Sequence, residues 1–374
     1  MPRRILIAPD KFKGTLTSHQ AADAIARGWA SVHPTDLLEL LPMSDGGDGF
    51  GSVLAQHLHA STRVTRTVDA AGQPRDATWW WSDSGPIAIV ETAQIVGLAL
   101  LPPGRFHPFH LDTFGIGAVL QAAVEAGAAE CWVGIGGSAT NDAGFGLARS
   151  LGWMFLDADR CPIEQWTGLT RLESIEPPAS WLPGHCRFTV AVDVDNPLLG
   201  PEGCSRIYGP QKGLRPEDMA AAEAALGRLA EVWKRHSGRD PASAPGAGAA
   251  GGLGFALPAF LNARVDSGFE IFARATGLDD RIRNTDLILT GEGSLDRQSL
   301  MGKGTGRVAQ RARQLGRPCI GLAGIAETLP DPQSHPRLFD AVHAIVPAFA
   351  PADDAKGNAA HWLEELARQT ARLH

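Results

Sequence analysis

The sequence predicts an α/β protein of two domains. One is a Rossmann-like domain with a parallel sheet, built from residues 1–64 and 285–374; the other is an inserted α/β domain with a mixed sheet, residues 65–284. Three observations predict this. Both ends of the chain alternate short apolar runs with stretches of helical period, the pattern of a parallel sheet covered by helices. Residues 62–92 break that pattern and read as antiparallel strands joined by Gly-containing turns. A chain of 374 residues, 44% of them hydrophobic, is long enough for more than one core.

The elements follow in order. Arg4–Ala8 (RILIA) is a short buried strand. Ser18 caps a helix on which Ala21, Ala22, Ile25, Trp29 and Val32 share a face. Asp36–Met43 is the second strand and Gly49–Leu58 the second helix. TRVTRTVDA, PRDATWWWSD and IAIVETA supply the antiparallel strands, and the three tryptophans at 79–81 mark a packed strand or an interface. Asp112–Ala126 is helical, with Gly127 just beyond it. Glu130–Ile135 and Arg187–Val194 are strands, and Pro216–His236 is a long Ala-rich helix with proline at its start. Residues 237–252 (SGRDPASAPGAGAAGG) form a linker or loop, and two short helices lead to the strand Asp286–Thr290. A helix near 304–315, strands Pro318–Ala323 and Ala341–Val346, and a helix from about Asp353 complete the chain.

Composition narrows the function. Lys and Arg number 34 against 41 Asp and Glu, a formal charge of −7, which argues against a nucleic-acid binder. The five cysteines contain no CxxC and no zinc spacing, which suits a reducing compartment. The apolar run before Asp10 is too short for a signal sequence, and no stretch approaches the ~18 apolar residues of a membrane span. A cytoplasmic protein is expected, with no membrane partner.

Nearly every strand ends in a loop rich in glycine and carboxylates. These are Asp10-Lys11-Phe12-Lys13-Gly14, Ser44-Asp45-Gly46-Gly47-Asp48-Gly49, Gly136-Gly137-Ser138-Ala139-Thr140-Asn141-Asp142, Asp193-Val194-Asp195-Asn196, and Thr290-Gly291-Glu292-Gly293-Ser294-Leu295-Asp296. Ligands of open α/β sheets bind beyond the carboxyl ends of strands, so these loops are expected to make one site. GIGGSATND (134–142) leads from a strand into an expected helix, where successive N–H groups and the helix dipole suit phosphate. Its Gly134-x-Gly136-x-x-Ala139 spacing also matches a dinucleotide fingerprint, and a plain tight turn would need the same small residues. Gly246-x-Gly248-x-x-Gly251 repeats the spacing without a preceding strand, as a mobile loop or a phosphate binder. No P-loop motif occurs.

Asp193 ends a strongly apolar strand, and Asp195 shares its strand face, a spacing that suits a shared Mg²⁺ or a base beside a metal ligand. Lys11 and Lys13 share a face if the first strand runs that far, and suit a phosphate or a carboxylate. Asp45 and Asp48 are equally explained as helix caps. Together these features suit phosphoryl transfer, in which charge neutralisation and positioning do most of the catalysis and a carboxylate takes the acceptor's proton.

IAPDKFKGTLTS (7–18), MSDGGDG (43–49), GIGGSATNDAGFGLARSLG (134–152), DVDNPLLGPEGCSRIYGPQKG (193–213), PGAGAAGGLGFAL (245–257) and TGEGSLDRQSLMGKGTGRVA (290–309) closely resemble the type-I glycerate kinases, in the family's order. The resemblance implies an ATP:glycerate phosphotransferase that uses Mg²⁺, with its site in the cleft between a Rossmann-like domain and an inserted one. It implies D-glycerate as substrate and 2-phosphoglycerate as product, with 3-phosphoglycerate the alternative. An NAD(P)-dependent oxidoreductase using Gly134–Ala139 is the reading from another class. On the kinase reading Asp193, Asp45 and Lys13 are catalytic candidates. Asp195, Glu292 and Asp296 are candidates for Mg²⁺. Asp10, Lys11, Asp48, Gly136, Gly137, Ser138, Thr140, Asn141, Asn196, Arg206, Lys212, Gly291 and Lys303 are candidates for nucleotide or glycerate. A monomer or homodimer is expected.

Overall fold

The computed structural model describes residues 2–44, 46–47, 49–179, 184–296, 299, 304–327 and 338–374. The strands, in chain order, are β1 (Arg4–Ile7), β2 (Leu37–Leu40), β3 (Ser61–Val68), β4 (Pro74–Ser82), β5 (Ile87–Glu91), β6 (Glu130–Gly134), β7 (Met154–Leu156), β8 (Ser174–Glu176), β9 (Arg187–Ala191), β10 (Arg264–Asp266), β11 (Leu287–Leu295), β12 (Cys319–Ala326) and β13 (Ala341–Val346). The chain divides into two compact units, Met1–Asp45 with Phe269–His374, and Gly46–Gly268.

The first unit holds a five-stranded sheet in the order β13-β12-β11-β1-β2, parallel throughout. Successive residues of β1 face opposite sides. Ile5 and Ile7 join a core with Leu287, Leu289, Ile320 and Leu322 under the helices Ser18–Ala30 and Ala359–Leu373. Helix Thr305–Gln314 packs on β11 and β12, burying Val308, Ala309 and Ala312. Each fully buried aliphatic side chain contributes roughly 1.5–3 kcal/mol. Helix Ser18–Ala30 is capped by Thr17, not Ser18: the Thr17 hydroxyl accepts from Gln20 N while the Gln20 side chain accepts from Thr17 N. Gly28 lets the two helices touch, since a Cβ there would stand 2.2 Å from the Glu364 carbonyl oxygen.

The second unit holds a six-stranded mixed sheet, β10-β9-β6-β5-β4-β3. β10, β9, β6 and β5 are parallel, while β4 and β3 are antiparallel. Trp79 and Trp81 enter the core below helix Ile116–Glu125, and Trp80 lies on the other face. The tryptophan run is therefore a packed strand whose two faces are both used. A second core gathers Trp153, Phe155, Trp166, Trp233 and Phe260 around the small β7–β8 sheet.

The unit borders at 45/46 and 268/269 precede those read from the sequence, near 64 and 284. Helix Phe50–His57 lies against β4 and β5: a Cβ on Gly51 would stand 1.9 Å from Trp80 Cζ3. Helices Gly268–Thr276 and Leu278–Arg283 are tied to helix Thr305–Gln314 by Arg311, which pairs with Glu270 and Asp279 at 2.7 and 3.0 Å. Among the described residues no helix is long and apolar enough to cross a membrane.

Candidate active site

In the first unit the strand order reverses between β1 and β11, which makes their carboxyl ends the natural ligand edge. Ala8 N and Asp10 N donate to the carbonyls of Leu289 and Gly291, both at 2.8 Å, so the pairing continues beyond β1. Asp10 is buried there. The strand conformation itself ends at Ile7, and residues 12–16 form a turn closed by Phe12 N donating to Leu16 O. Lys11 and Lys13 thus flank a buried Phe12 on a turn, and the shared strand face expected for them does not form. Lys13 is exposed.

Gly291 lies inside β11, where a Cβ would stand 2.0 Å from the Leu322 carbonyl oxygen; close strand packing already requires glycine there. At the end of β11 the Glu292 carboxylate accepts from the Thr305 hydroxyl, at the start of helix Thr305–Gln314. Asp296 accepts from Ser299 N at 3.1 Å.

In the second unit β5, β6, β9 and β10 end side by side. After β6, the Gly136–Asp142 loop differs from the expected strand-to-helix turn. The next helix, Phe145–Ser150, begins six positions after Ala139 and is too short to supply much dipole. The dinucleotide arrangement, a turn running straight into a helix, is absent at Gly134–Ala139. What the loop offers is backbone. Among the described residues the N–H groups of Gly136, Gly137 and Ser138 donate to no protein acceptor, and Gly137 is exposed. Asp142, buried at the loop's end, accepts from Thr113 N and Oγ1 and from Gly146 N at 2.7–3.0 Å. Burial and the neighbouring Asp112 push its carboxyl up to about 6, against the opposing pull of these hydrogen bonds.

Lys212, in the last turn of helix Cys204–Lys212, is 6% exposed. Its ammonium donates to the Thr140 carbonyl oxygen and to Ser138 Oγ, and the Ser138 hydroxyl donates to the Ala250 carbonyl oxygen at 3.0 Å. Burial holds Lys212 down to about 8, with Cys204 and Asp142 opposing. The Ser138 hydroxyl, expected to meet phosphate, is thus engaged within the protein. Asn141 Nδ2 donates to Ser205 Oγ at 2.9 Å, while Asn141 Oδ1 and Thr140 Oγ1 are buried without a partner among the described residues. Residues 246–251, expected as a mobile loop or a phosphate binder, are mostly buried: Ala250 and Gly251, with Gly252 beyond them, are left-handed, and Gly251 O accepts from Ala143 N at 2.9 Å.

After β9, Asp193 Oδ1 accepts from Ser267 Oγ at 2.7 Å and Oδ2 from Gly268 N at 2.9 Å, at the start of helix Gly268–Thr276. Gly46 presents no side chain to Oδ2, its nearest Cβ position being 3.4 Å away. Asp195 is exposed. Asn196 is spent on the loop itself, accepting from Tyr208 OH at 2.7 Å and donating to Glu202 O at 2.9 Å. Arg206 is exposed. Asp45, Asp48 and Lys303 lie outside the described residues.

Among the described residues no three His, Cys, Asp or Glu side chains cluster to enclose a metal. Mg²⁺ bound with a nucleotide needs only one or two carboxylates beside water and phosphate, and Glu292 with Asp296 at the end of β11 fits that donor set. Sequence reasoning missed Glu91, Ser205 and Ser267. Glu91 ends the apolar strand IAIVE, the same signal that singled out Asp193.

Comparison with known proteins completes the description. The profile of the glycerate kinase family matches residues 5–374. Glycerate kinase of Halalkalibacterium halodurans is 36% identical over 98% of this chain and 97% of its own. Glycerate 2-kinase of Escherichia coli K12 is 37% identical over 94% of this chain and 93% of its own. A crystal structure from Salmonella typhimurium LT2, described as a candidate glycerate kinase 2, superposes with a TM-score of 0.84 at 34% identity, covering 100% of this chain and 98% of that one.

Proposed function

The chain belongs to the glycerate kinase family, and we propose that it transfers the γ-phosphoryl group of ATP to a hydroxyl of D-glycerate, giving 2-phosphoglycerate and ADP. The name of the E. coli relative, glycerate 2-kinase, supports the choice of product. One observation carries the chemistry: three successive N–H groups at Gly136, Gly137 and Ser138 that have no protein acceptor among the described residues, on a loop at the carboxyl end of the parallel strands of the second unit. Such groups bind phosphate oxygens without a charge of their own to desolvate.

Asp193 is the base in this reading. The Ser267 hydroxyl and Gly268 N–H fix its carboxylate, which accepts the proton of the attacking glycerate hydroxyl. The new bond forms between that oxygen and the γ-phosphorus as the bond to the β-phosphate oxygen breaks. Lys11, Lys13 and Arg206 supply positive charge to phosphate or to the glycerate carboxylate, and Asp10 is a further binding candidate; Asp45 is the second candidate for the base. Glu292 and Asp296 would hold Mg²⁺, directly or through water, with Asp195 a further candidate. When bound, the ion neutralises charge on the phosphates. A cytoplasmic enzyme, monomeric or homodimeric, completes the reading.

The test is a coupled assay with ATP, Mg²⁺ and D-glycerate. Product that enolase consumes directly is 2-phosphoglycerate. Product that needs a phosphoglycerate mutase first is 3-phosphoglycerate and overturns the regiochemistry. No ADP with glycerate present overturns the reading.

A further inference from the structure

Glu91 is the last residue of β5, one strand from the phosphate loop, and is 2% exposed. Its Oε1 accepts from Gly49 N at 2.8 Å and its Oε2 from Gly51 N at 3.0 Å. A buried carboxylate therefore sits on the amino end of helix Phe50–His57, where N–H groups lack helical partners and favour negative charge. That end of the helix is filled from inside the protein.

The turn before the helix rests on three strand ends. A Cβ on Gly46 would stand 3.2 Å from Ala191 Cβ, beside β9. A Cβ on Gly136, after β6, would stand 2.7 Å from Gly47 Cα. Glu91 holds the far side from β5. Gly46 and Gly49 have φ of +96° and +92°, conformations that glycine reaches freely but does not enforce. The turn needs an external clamp, and the two hydrogen bonds to Glu91 supply one.

We propose that Glu91 is a positioning residue for phosphoryl transfer: its buried carboxylate clamps Gly49 and Gly51 and so fixes the Gly46–Gly47 turn against Asp193 and the phosphate loop. The inference rests on the reading above for its kinetic consequence. The phosphate loop has its own supports, Lys212 and the Ser138–Ala250 bond, so loosening the turn acts mainly on the base.

The experiment compares Glu91→Gln with the parent. Glutamine keeps the volume but turns one acceptor into a donor that faces an N–H. The expected result is a fall of at least ~10-fold in kcat with KM for ATP within ~2-fold, and faster amide exchange in the peptide spanning residues 46–55. Unchanged kcat and unchanged exchange, measured below both melting temperatures, overturn the proposal. So does a kcat loss matched by an equal rise in KM for ATP, which would mean that the whole edge has collapsed. If Glu91→Gln does not fold, Glu91→Asp, charged but one methylene shorter, is put through the same comparison. A parent without glycerate-dependent turnover would overturn the functional reading alone, because the exchange measurement tests the clamp by itself.

Discussion

The ammonium of Lys212 stands 2.6 Å from the carbonyl oxygen of Thr140, deep enough that burial holds its pKa down to about 8. In the unfolded chain the ordinary value is 10.5. Between pH 8 and 10.5 the native state has lost this proton and the unfolded state has kept it, so through this group stability rises with pH in that window. The full difference is about 3 kcal/mol, at about 1.4 kcal/mol per pKa unit. Other groups titrate there too, among them Cys186, pushed up to about 11, which acts in the opposite sense. Lys212→Met cancels those shared contributions. The melting temperature of the parent should therefore climb relative to Lys212→Met between pH 8 and 10. A constant gap would mean that Lys212 is not a buried cation.

Asp193→Asn separates catalysis from structure. Asparagine keeps one acceptor for Ser267 or Gly268, so the stability loss should stay near 1 kcal/mol, the size of a lost helix cap. As the base, Asp193 should matter far more to turnover, with kcat falling by at least ~10². Steady-state kinetics beside a thermal melt reads both. A loss confined to KM would make Asp193 a binding group.

Gly251→Ala tests the packing behind the Gly136–Asp142 loop. Gly251 has φ +72°, and a Cβ there would stand 2.0 Å from the Thr140 carbonyl oxygen and 2.9 Å from Lys212 Nζ. Gly238 has a similar φ of +69°, but nothing lies within 4 Å of its Cβ position. Both alanines bear the left-handed penalty of about 1–2 kcal/mol. Only Gly251→Ala must also displace Thr140, so it should melt several degrees lower than Gly238→Ala and raise KM for ATP. Equal melting temperatures would mean that the contact is easily relaxed.

How much of this was legible in the sequence follows from what each signal measures. Alternating apolar runs found the sheet strands of the first unit because parallel strands are apolar on both faces. β10 was missed because Arg-Val-Asp carries no such signal and exists by pairing with Thr189–Ala191. The loop after β6 was read as a turn into a helix because small residues look alike in both settings. Asp193 stood out at the end of an apolar strand, and Glu91 does the same. The hairpins of 62–92 hid it, since only the parallel pairing of β5 with β6 brings Glu91 to the ligand edge. Lys212 reads from the sequence only as a candidate for nucleotide or glycerate; its burial depends on residues 250–252 folding over it, which no local pattern encodes.

Glu292 offers the clearest test of the metal. Its Oε1 accepts from Thr305, which orients the carboxylate. If Glu292 holds Mg²⁺ directly or through water, Glu292→Gln removes a charge but keeps an acceptor for Thr305, so the helix at Thr305 should stay in place and the melting temperature should barely move. The free Mg²⁺ needed for half-maximal rate, at saturating ATP, should then rise by roughly tenfold, the scale of a lost ligand contact worth about 1.4 kcal/mol. Asp296→Asn should do likewise if it shares the ion, and the double variant should exceed either single one. An unchanged Mg²⁺ response in all three variants would remove both residues from the metal and leave Glu292 as an anchor for helix Thr305–Gln314 alone.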